Sequence, residues 1–568
     1  MKLRICKSTS QDGLRTRGIH ARWILGRPCS RRNVGTGKAR VCERLITRTR
    51  VICAAAVLAL TALVPDAAAA PIKFTARSRE AAGPNEAQSV VYKEVEWEST
   101  RTAVIVCDMW DKHWCKGATA RVAEMAPRMN EFLKKCRAMG TLVIHAPSGT
   151  MAFYKDYPQR KRAEKAKGSA SGENLNSWKP LDRSQEGPLP IDDSDGGCDD
   201  NPKCAQGSPW RSQIDLLEIG EEDAVSDSGQ EILGLMQERG IENVILLGVH
   251  ANMCVLGRPF GIRAMVGCGK NVLLVRDLTD TMYSSQMRPF VSHFAGTDLV
   301  IEHIEKHWCP TITSDQMVGG RPFRFSADPR PTVAMVIAES EYHTWETLPA
   351  FATDTLLKAG LRIEYVTATM RNDDCQFRGY RALDGAGLVL VSARRRAMPH
   401  EMAVMLKQHV ESGKPIVGIR TASHAFSVRG PDRSKLGQAG FEDWPEFDSE
   451  VLGGNYSGHH PAGPVTTVRV VPEALDHPVL KGVPLGAWSS PASLYKTSPL
   501  KPGATVLLTG QIAGEQAEPI AWVRSAGARQ SRVFYTSLGH PEDFRNPSFR
   551  RMLANGILWA LGMPTKGN

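Results

Sequence analysis

In this chain of 568 residues, a cysteine that opens a helix directly after a buried strand is the residue best placed for chemistry. The segment Asn243-Val-Ile-Leu-Leu-Gly248 reads as the strand, and Val-His-Ala-Asn-Met-Cys254 as the turn that leads into the helix. A thiol at a helix N-terminus has its thiolate favoured by the helix dipole and by free N–H groups, which lowers its pKa and makes it a nucleophile. The same N–H groups can hold a tetrahedral oxyanion. An acid, Asp108, ends an earlier apolar run, Thr102-Ala-Val-Ile-Val-Cys-Asp108. Both residues then fall at the carboxyl edge of one parallel sheet, where open α/β folds place their sites. The blander alternative is that Cys254 is a small buried hydrophobe, and position alone favours it.

The elements that must hold this pair alternate regularly. After the strand ending at Asp108 come a helix over 120–139, a strand at Thr141-Leu-Val-Ile-His145 and a polar stretch over 154–210 without apolar period, read as an elaborated surface loop. A short strand at Asp223-Ala-Val-Ser, a helix over 229–239, the strand before the cysteine, a helix over 254–265 and a strand at Asn271-Val-Leu-Leu-Val-Arg276 follow. The pattern breaks at the Pro-bearing segment Phe323-Arg-Phe-Ser-Ala-Asp-Pro-Arg-Pro331, and a second β–α series begins at Thr332. That series has a helix over 348–359, strands over 362–366, 387–391, 415–419 and 532–537, and a last helix over 548–561. The fold class is therefore α/β, with two doubly wound, three-layer αβα parallel-sheet domains in tandem over 97–325 and 330–565. Length agrees, since one hydrophobic core stops growing at roughly 250–300 residues.

Composition narrows the function. Hydrophobic residues make up 42% and charged residues 23%, enough apolar material to bury cores. The formal charge of +11 would suggest a polyanion partner if it belonged to the folded part. Residues 1–70, however, hold 14 Lys and Arg against three acids, so they carry the whole excess and the remainder is neutral. Nucleic acid is thus excluded as an expected partner. The run Val51-Ile-Cys-Ala-Ala-Ala-Val-Leu-Ala-Leu-Thr-Ala-Leu-Val64, preceded by arginines and followed by Ala67-Ala-Ala-Ala70, has the layout of a signal peptide. Export to the periplasm or outside the cell, with cleavage near Ala70, is expected. The run is short for a membrane span, so stable insertion is not expected, although an uncleaved anchor is compatible with it.

Nine cysteines follow Ala70, an odd number. Cys198 and Cys204, in one loop, suit a local disulfide in an oxidising compartment, and their spacing is not that of a zinc knuckle. His303 and His307 stand at i, i+4, but with no third ligand in view they read as unligated surface histidines. No metal or cofactor is expected.

The string Val-Ile-Leu-Leu-Gly-Val-His-Ala-Asn-Met-Cys-Val-Leu-Gly-Arg, with Cys-Asp-Met-Trp110 upstream and Leu-Val-Arg-Asp-Leu-Thr-Asp280 downstream, resembles the isochorismatase-like cysteine hydrolases over about 97–325. The resemblance implies Cys254 as nucleophile, Asp108 as its general base, a cis bond between Val249 and His250, and an oxyanion hole from the backbone N–H groups of His250 and Cys254. It implies hydrolysis of an amide, another C–N bond or a vinyl ether in a small molecule. One departure stands out. The family pairs its Asp with a Lys, but no lysine lies between Lys203 and Lys270, and Asp227 or Ser228 stands near the expected place. Either a group from the 154–210 loop substitutes or hydrolysis is altered or lost; His113, His145 and Arg258 are other polar groups near enough in sequence. The single histidine after the second strand disfavours the metal-dependent nicotinamidases of that family.

Residues 330–565 resemble the ThuA-like group with its glutamine-amidotransferase, flavodoxin-like fold. The resemblance rests on Val-Leu-Gly-Gly-Asn-Tyr-Ser-Gly-His-His460, Asp476-His-Pro-Val-Leu-Lys-Gly, Pro519-Ile-Ala-Trp-Val-Arg and Val533-Phe-Tyr-Thr-Ser-Leu-Gly-His-Pro-Glu542. It implies a triad, of which His540 and Glu542 remain, but Arg420 stands at the strand–helix elbow where the cysteine would be, and Ser423 reads better as a helix cap than as a nucleophile. Arg420, His424, His459, His460, His540 and Glu542 are therefore expected to hold an anionic or carbohydrate-related ligand. The expectation is an exported cysteine hydrolase with a ligand-binding second domain. The rival is a non-catalytic binding protein made of two degenerate enzyme folds; a homo-oligomer is compatible with either.

Overall fold

The computed structural model describes residues 71–81, 88–166, 175–368, 375–429, 436 and 440–565. The expected signal peptide lies outside them. No described helix is long and apolar enough to cross a membrane.

The first sheet has eight strands: β1 (Ile72–Ala81), β2 (Gln88–Trp97), β3 (Thr102–Cys107), β4 (Leu142–Ala146), β5 (Ala224–Val225), β6 (Asn243–Val249), β7 (Asn271–Asp280) and β8 (Thr311–Ile312). Their order is β2-β1-β8-β7-β6-β3-β4-β5. From β8 to β5 every neighbouring pair is parallel, and β3, β4 and β6 are buried on both faces, as sheets covered by helices require. The chain starts in the middle at β3, moves outward through β4 and β5, then returns to add β6 on the other side. Strand order reverses between β3 and β6, so their carboxyl ends flank a crevice.

Two expectations are corrected here. The first sheet takes in residues 72–97, ahead of the expected boundary at 97, as an antiparallel hairpin in which β1 also pairs with β8. The 154–210 stretch contains a helix, Pro158–Ala166, and buries Tyr154, Leu175, Ile191 and Cys198, so it is a partly packed insertion and not only a surface loop. His303 and His307 serve it: His303 Nε2 binds the buried Glu186 carboxylate at 2.7 Å and His307 Nδ1 meets the Gln185 carbonyl at 3.1 Å.

The second sheet has nine strands. Five are parallel: β9 (Thr332–Ala338), β10 (Arg362–Thr367), β11 (Leu388–Ala393), Ile416–Ile419 and Ser531–Thr536, in the order β10-β9-β11 followed by the last two. That is the 2-1-3-4-5 order of flavodoxin-like folds. The other four, Glu518–Ala526, Thr505–Gln511, Thr466–Val470 and Trp488–Ser490, extend it antiparallel. The expected doubly wound parallel sheet is therefore present and is extended by antiparallel strands, two of which have one wet face and lack the continuous apolar run that marks a buried parallel strand.

The hairpin β1–β2 lies between the two sheets. Arg77 Nε binds Glu305 at 2.8 Å and its Nη1 reaches Glu364 of β10 at 3.5 Å; Arg79 Nη2 binds Glu302 at 2.7 Å, and the Tyr92 hydroxyl donates to the Tyr365 carbonyl at 3.0 Å.

Candidate active site

Asp108 follows β3 with φ of 46°, the left-handed region that a non-glycine residue enters only when its surroundings hold it there. Its carboxylate is fully buried. Oδ1 accepts the Ser148 amide at 2.7 Å and Oδ2 accepts Arg258 Nε at 3.0 Å, and the Cys254 thiol is near enough for the carboxylate charge to act on it. Burial raises the Asp108 pKa, while Arg258, the Cys254 thiol and the Ser148 groups pull it back.

Cys254 follows β6 through the turn 250–253. The Val249–His250 bond is cis, and the Ala251 amide donates to the Asp280 carbonyl at 2.7 Å, which ties the turn to the end of β7. Cys254 is 8% exposed. Burial and then Asp108 push its thiol well above the ordinary value, with Arg258 and the His250 backbone amide acting in the opposite sense. The expected low thiol pKa is therefore corrected. The helix that Cys254 opens has a single turn, Cys254–Gly257, and its dipole is no match for desolvation beside an anion.

The same short helix resolves the missing lysine. It stops before Pro259, and Arg258 is extended (φ −61°, ψ 155°), the conformation that a following proline imposes. From there the guanidinium reaches Asp108. Trp178, from the insertion, faces it with its ring centroid 5.8 Å from Cζ, and the Lys179 amide donates to the Gly257 carbonyl at 2.7 Å. Asp227 does not take this place: it accepts the Gly149 amide at 2.8 Å. His145 is held by Gln213 and Asp223, at 2.8 and 2.9 Å. His113 accepts the Cys115 amide on Nδ1. The sequence signal for this Asp108 contact was Gly257-Arg258-Pro259, a helix stop four residues past Cys254.

His250 is buried, and burial lowers its pKa to about 3, so its ring is neutral. It meets His113 edge-on at 5.0 Å, and His113 in turn continues a stack with Trp210 and Trp110. This aromatic wall was not read from sequence.

In the second domain Arg420 has φ of 43°, so the expected elbow is present. Its guanidinium is buried between the rings of Tyr342 and Tyr495, with centroids 4.0 and 4.4 Å from Cζ, and donates to the Ser537 carbonyl, the Tyr342 hydroxyl and Ser493. Its charge is thus engaged internally, which corrects its reading as an anion anchor. His424 stacks on Tyr456 at 4.4 Å, and burial followed by Arg395 and other arginines depresses its pKa to about 2. His459 lies 6.3 Å from Tyr495 and His540 6.4 Å from Tyr342, between ring centroids. His460 turns towards Glu515, and Glu542 pairs with Arg545 at 2.6 Å while His540 Nδ1 accepts the Glu542 amide. The structure gathers Arg420, His424, His459 and His540 around three tyrosines and leaves Glu542 and His460 to other contacts. Arg395, which follows β11 with φ of 51°, joins the group unforeseen.

Residues 333–560 match the family model of ThuA, trehalose utilisation. No curated protein matches the chain. Among solved structures, a ThuA-like protein from Bacteroides uniformis shares 17% identity over 44% of this chain and 98% of its own, at a TM-score of 0.32. A cysteine hydrolase from Pseudomonas syringae shares 17% over 39% and 92%, at 0.25. N-carbamoylsarcosine amidase from Thermoplasma acidophilum shares 12% over 32% and 83%, at 0.18. None of these structural likenesses is close enough to argue from.

Proposed function

We propose that the first domain is a cysteine hydrolase acting on an amide or related C–N bond of a small molecule, and that the protein is exported. The observation that carries the reading is one buried cluster: Arg258 on the Asp108 carboxylate at 3.0 Å, with the Cys254 thiol near enough to feel the charge of both. Asp108 takes the thiol proton as sulfur attacks the carbonyl carbon. The amides of His250 and Cys254 receive the oxyanion, and the proton passes to the departing nitrogen. Water, deprotonated by Asp108, then cleaves the thioester and frees the acid. Arg258 is a positioning residue that keeps Asp108 ionised and oriented, as the family's lysine would. The chemistry requires no cofactor, and the enclosure of Cys254 restricts it to small substrates. The second domain supplies a ligand site for a carbohydrate-related molecule beside Tyr342, Arg395, Tyr456 and His459, members of the cluster that remain at least partly exposed.

Ammonia or amine release from a panel of small amides and carbamoyl compounds tests the hydrolase. Activity should fall to background in Cys254→Ala and by at least about 100-fold in Asp108→Asn, and Arg258→Lys should retain more than Arg258→Ala. Turnover unchanged by Cys254→Ala, or absent across the panel in the unaltered protein, favours the binding-protein reading.

A further inference from the structure

Three cysteines distant from Cys254 in sequence converge on one carboxylate oxygen. Asp200 Oδ2 lies 3.2 Å from Cys115 Sγ, 3.2 Å from Cys204 Sγ and 3.6 Å from Cys198 Sγ. The ligand atoms of Cys115, Cys198 and Asp200 all lie within 4.8 Å of one another. None of the three cysteines is in a disulfide, so the expected Cys198–Cys204 bond is replaced by a cluster that a third cysteine joins. That cysteine stands at the start of helix α1 (Lys116–Ala138), 83 residues before Cys198 in the chain, which is why a reading of local spacing missed it.

We propose that Cys115, Cys198 and Asp200 hold a zinc-class divalent cation and that Cys204, which also lies on Asp200 Oδ2, turns in as the fourth, tetrahedral ligand. The distances suit it: with metal–sulfur bonds of about 2.3 Å and a metal–oxygen bond of about 2.0 Å, tetrahedral ligands place sulfur and oxygen roughly 3.5 Å apart. Independent support comes from the first turn of α1. Two of its amides are aimed at a ligand: Gly117 at Asp200 Oδ2 (3.0 Å) and Ala118 at the Cys115 sulfur (3.4 Å). Two successive N–H groups thus offset part of the negative charge that thiolates and a carboxylate leave around a dication. Cys115 and Cys198 are buried, and a carboxylate with three thiols has no apolar purpose in that pocket. Binding exchanges the thiol protons for the metal, with up to three protons released per ion.

All four positions are taken by protein, so the site is structural. Its neighbour Asp199 is gripped by both terminal nitrogens of Arg121, whose Nε binds Asp280 at 2.7 Å; nearby, Asn252 of the catalytic turn binds Asp193 of the insertion at 2.7 Å. The cation would fasten the insertion across the end of the first sheet beside the catalytic turn.

The test uses the reduced full chain, loaded with Zn²⁺ or Co²⁺ and passed through a chelator buffer. Retention of one ion per chain by elemental analysis, with the thiolate-to-cobalt charge-transfer absorption of a tetrahedral cobalt site, is expected. Cys115→Ser and Cys204→Ser should lose both signals, while Cys375→Ser and Cys254→Ala keep them; the last variant separates this site from the hydrolase reading. Cys204 is the least buried of the three, so its variant keeps the fold, which circular dichroism checks. Failure of the reduced chain to retain the ion, or a Cys198–Cys204 disulfide found by peptide mapping of the purified protein, would overturn the proposal.

Discussion

A thiol and a carboxylate buried in contact share one negative charge more readily than they carry two. With Arg258 on Asp108, that charge rests on the carboxylate and the Cys254 thiol is held protonated. Because burial and Asp108 raise the thiol pKa above the usual value of about 8.5, iodoacetamide alkylation at Cys254 should climb with pH through about 10 without a plateau. Asp108→Asn removes the neighbouring anion and should move the profile to lower pH, even as it abolishes turnover. Arg258→Ala should move it higher. Peptide mapping of the labelled cysteine reads both, and a plateau below about 8.5 in the unaltered protein contradicts the buried pair. Asp108 and Cys254 were legible because each sits in a short local pattern of strand and turn. Arg258 was harder, since its contact depends on where a helix stops, and Tyr342 and Tyr495, the two rings that hold the Arg420 guanidinium, lie 153 residues apart in the chain.

The two strand ends that carry the pair must approach closely. Gly248, at φ 107°, lies opposite Cys107 in the parallel register, and a Cβ there would stand 2.1 Å from the Cys107 carbonyl oxygen. Gly248→Ala therefore meets both backbone strain and a backbone clash at the crevice. It should cost more than about 4 kcal/mol, seen as a large fall in denaturant midpoint or loss of folded protein. A variant with unaltered stability would mean that β3 and β6 can part without harm. The alternation of buried strands and helices made both parallel sheets readable. The hairpin β1–β2 was not, because its strands are half wet and sit before the first regular βαβ unit, and the insertion was not because its anchors are buried polar groups such as Glu186.

Between the sheets, charged groups are buried in a connected set. Glu305 accepts from Arg77 and lies 3.5 Å from Arg79, and Glu364 draws Arg77 and Arg362. Removing one member leaves its partners charged and uncompensated, so Glu305→Gln should destabilise the protein by about 3–5 kcal/mol. Calorimetry should record this as a lower midpoint of a single transition, because the hairpin belongs to both halves. Two separated transitions, with only one displaced, would show that the sheets unfold independently. The same hairpin sets an order of events in synthesis. Arg77 waits for Glu305, 228 residues on, and Tyr92 for Tyr365, 273 residues on. A chain that emerges from the ribosome N-terminus first therefore presents a hairpin whose β1 edge has no partner until β8, at Thr311–Ile312, has followed, and such unpaired edges are where mispairing starts. The late closure of this hairpin is the step expected to be slowest in maturing the protein.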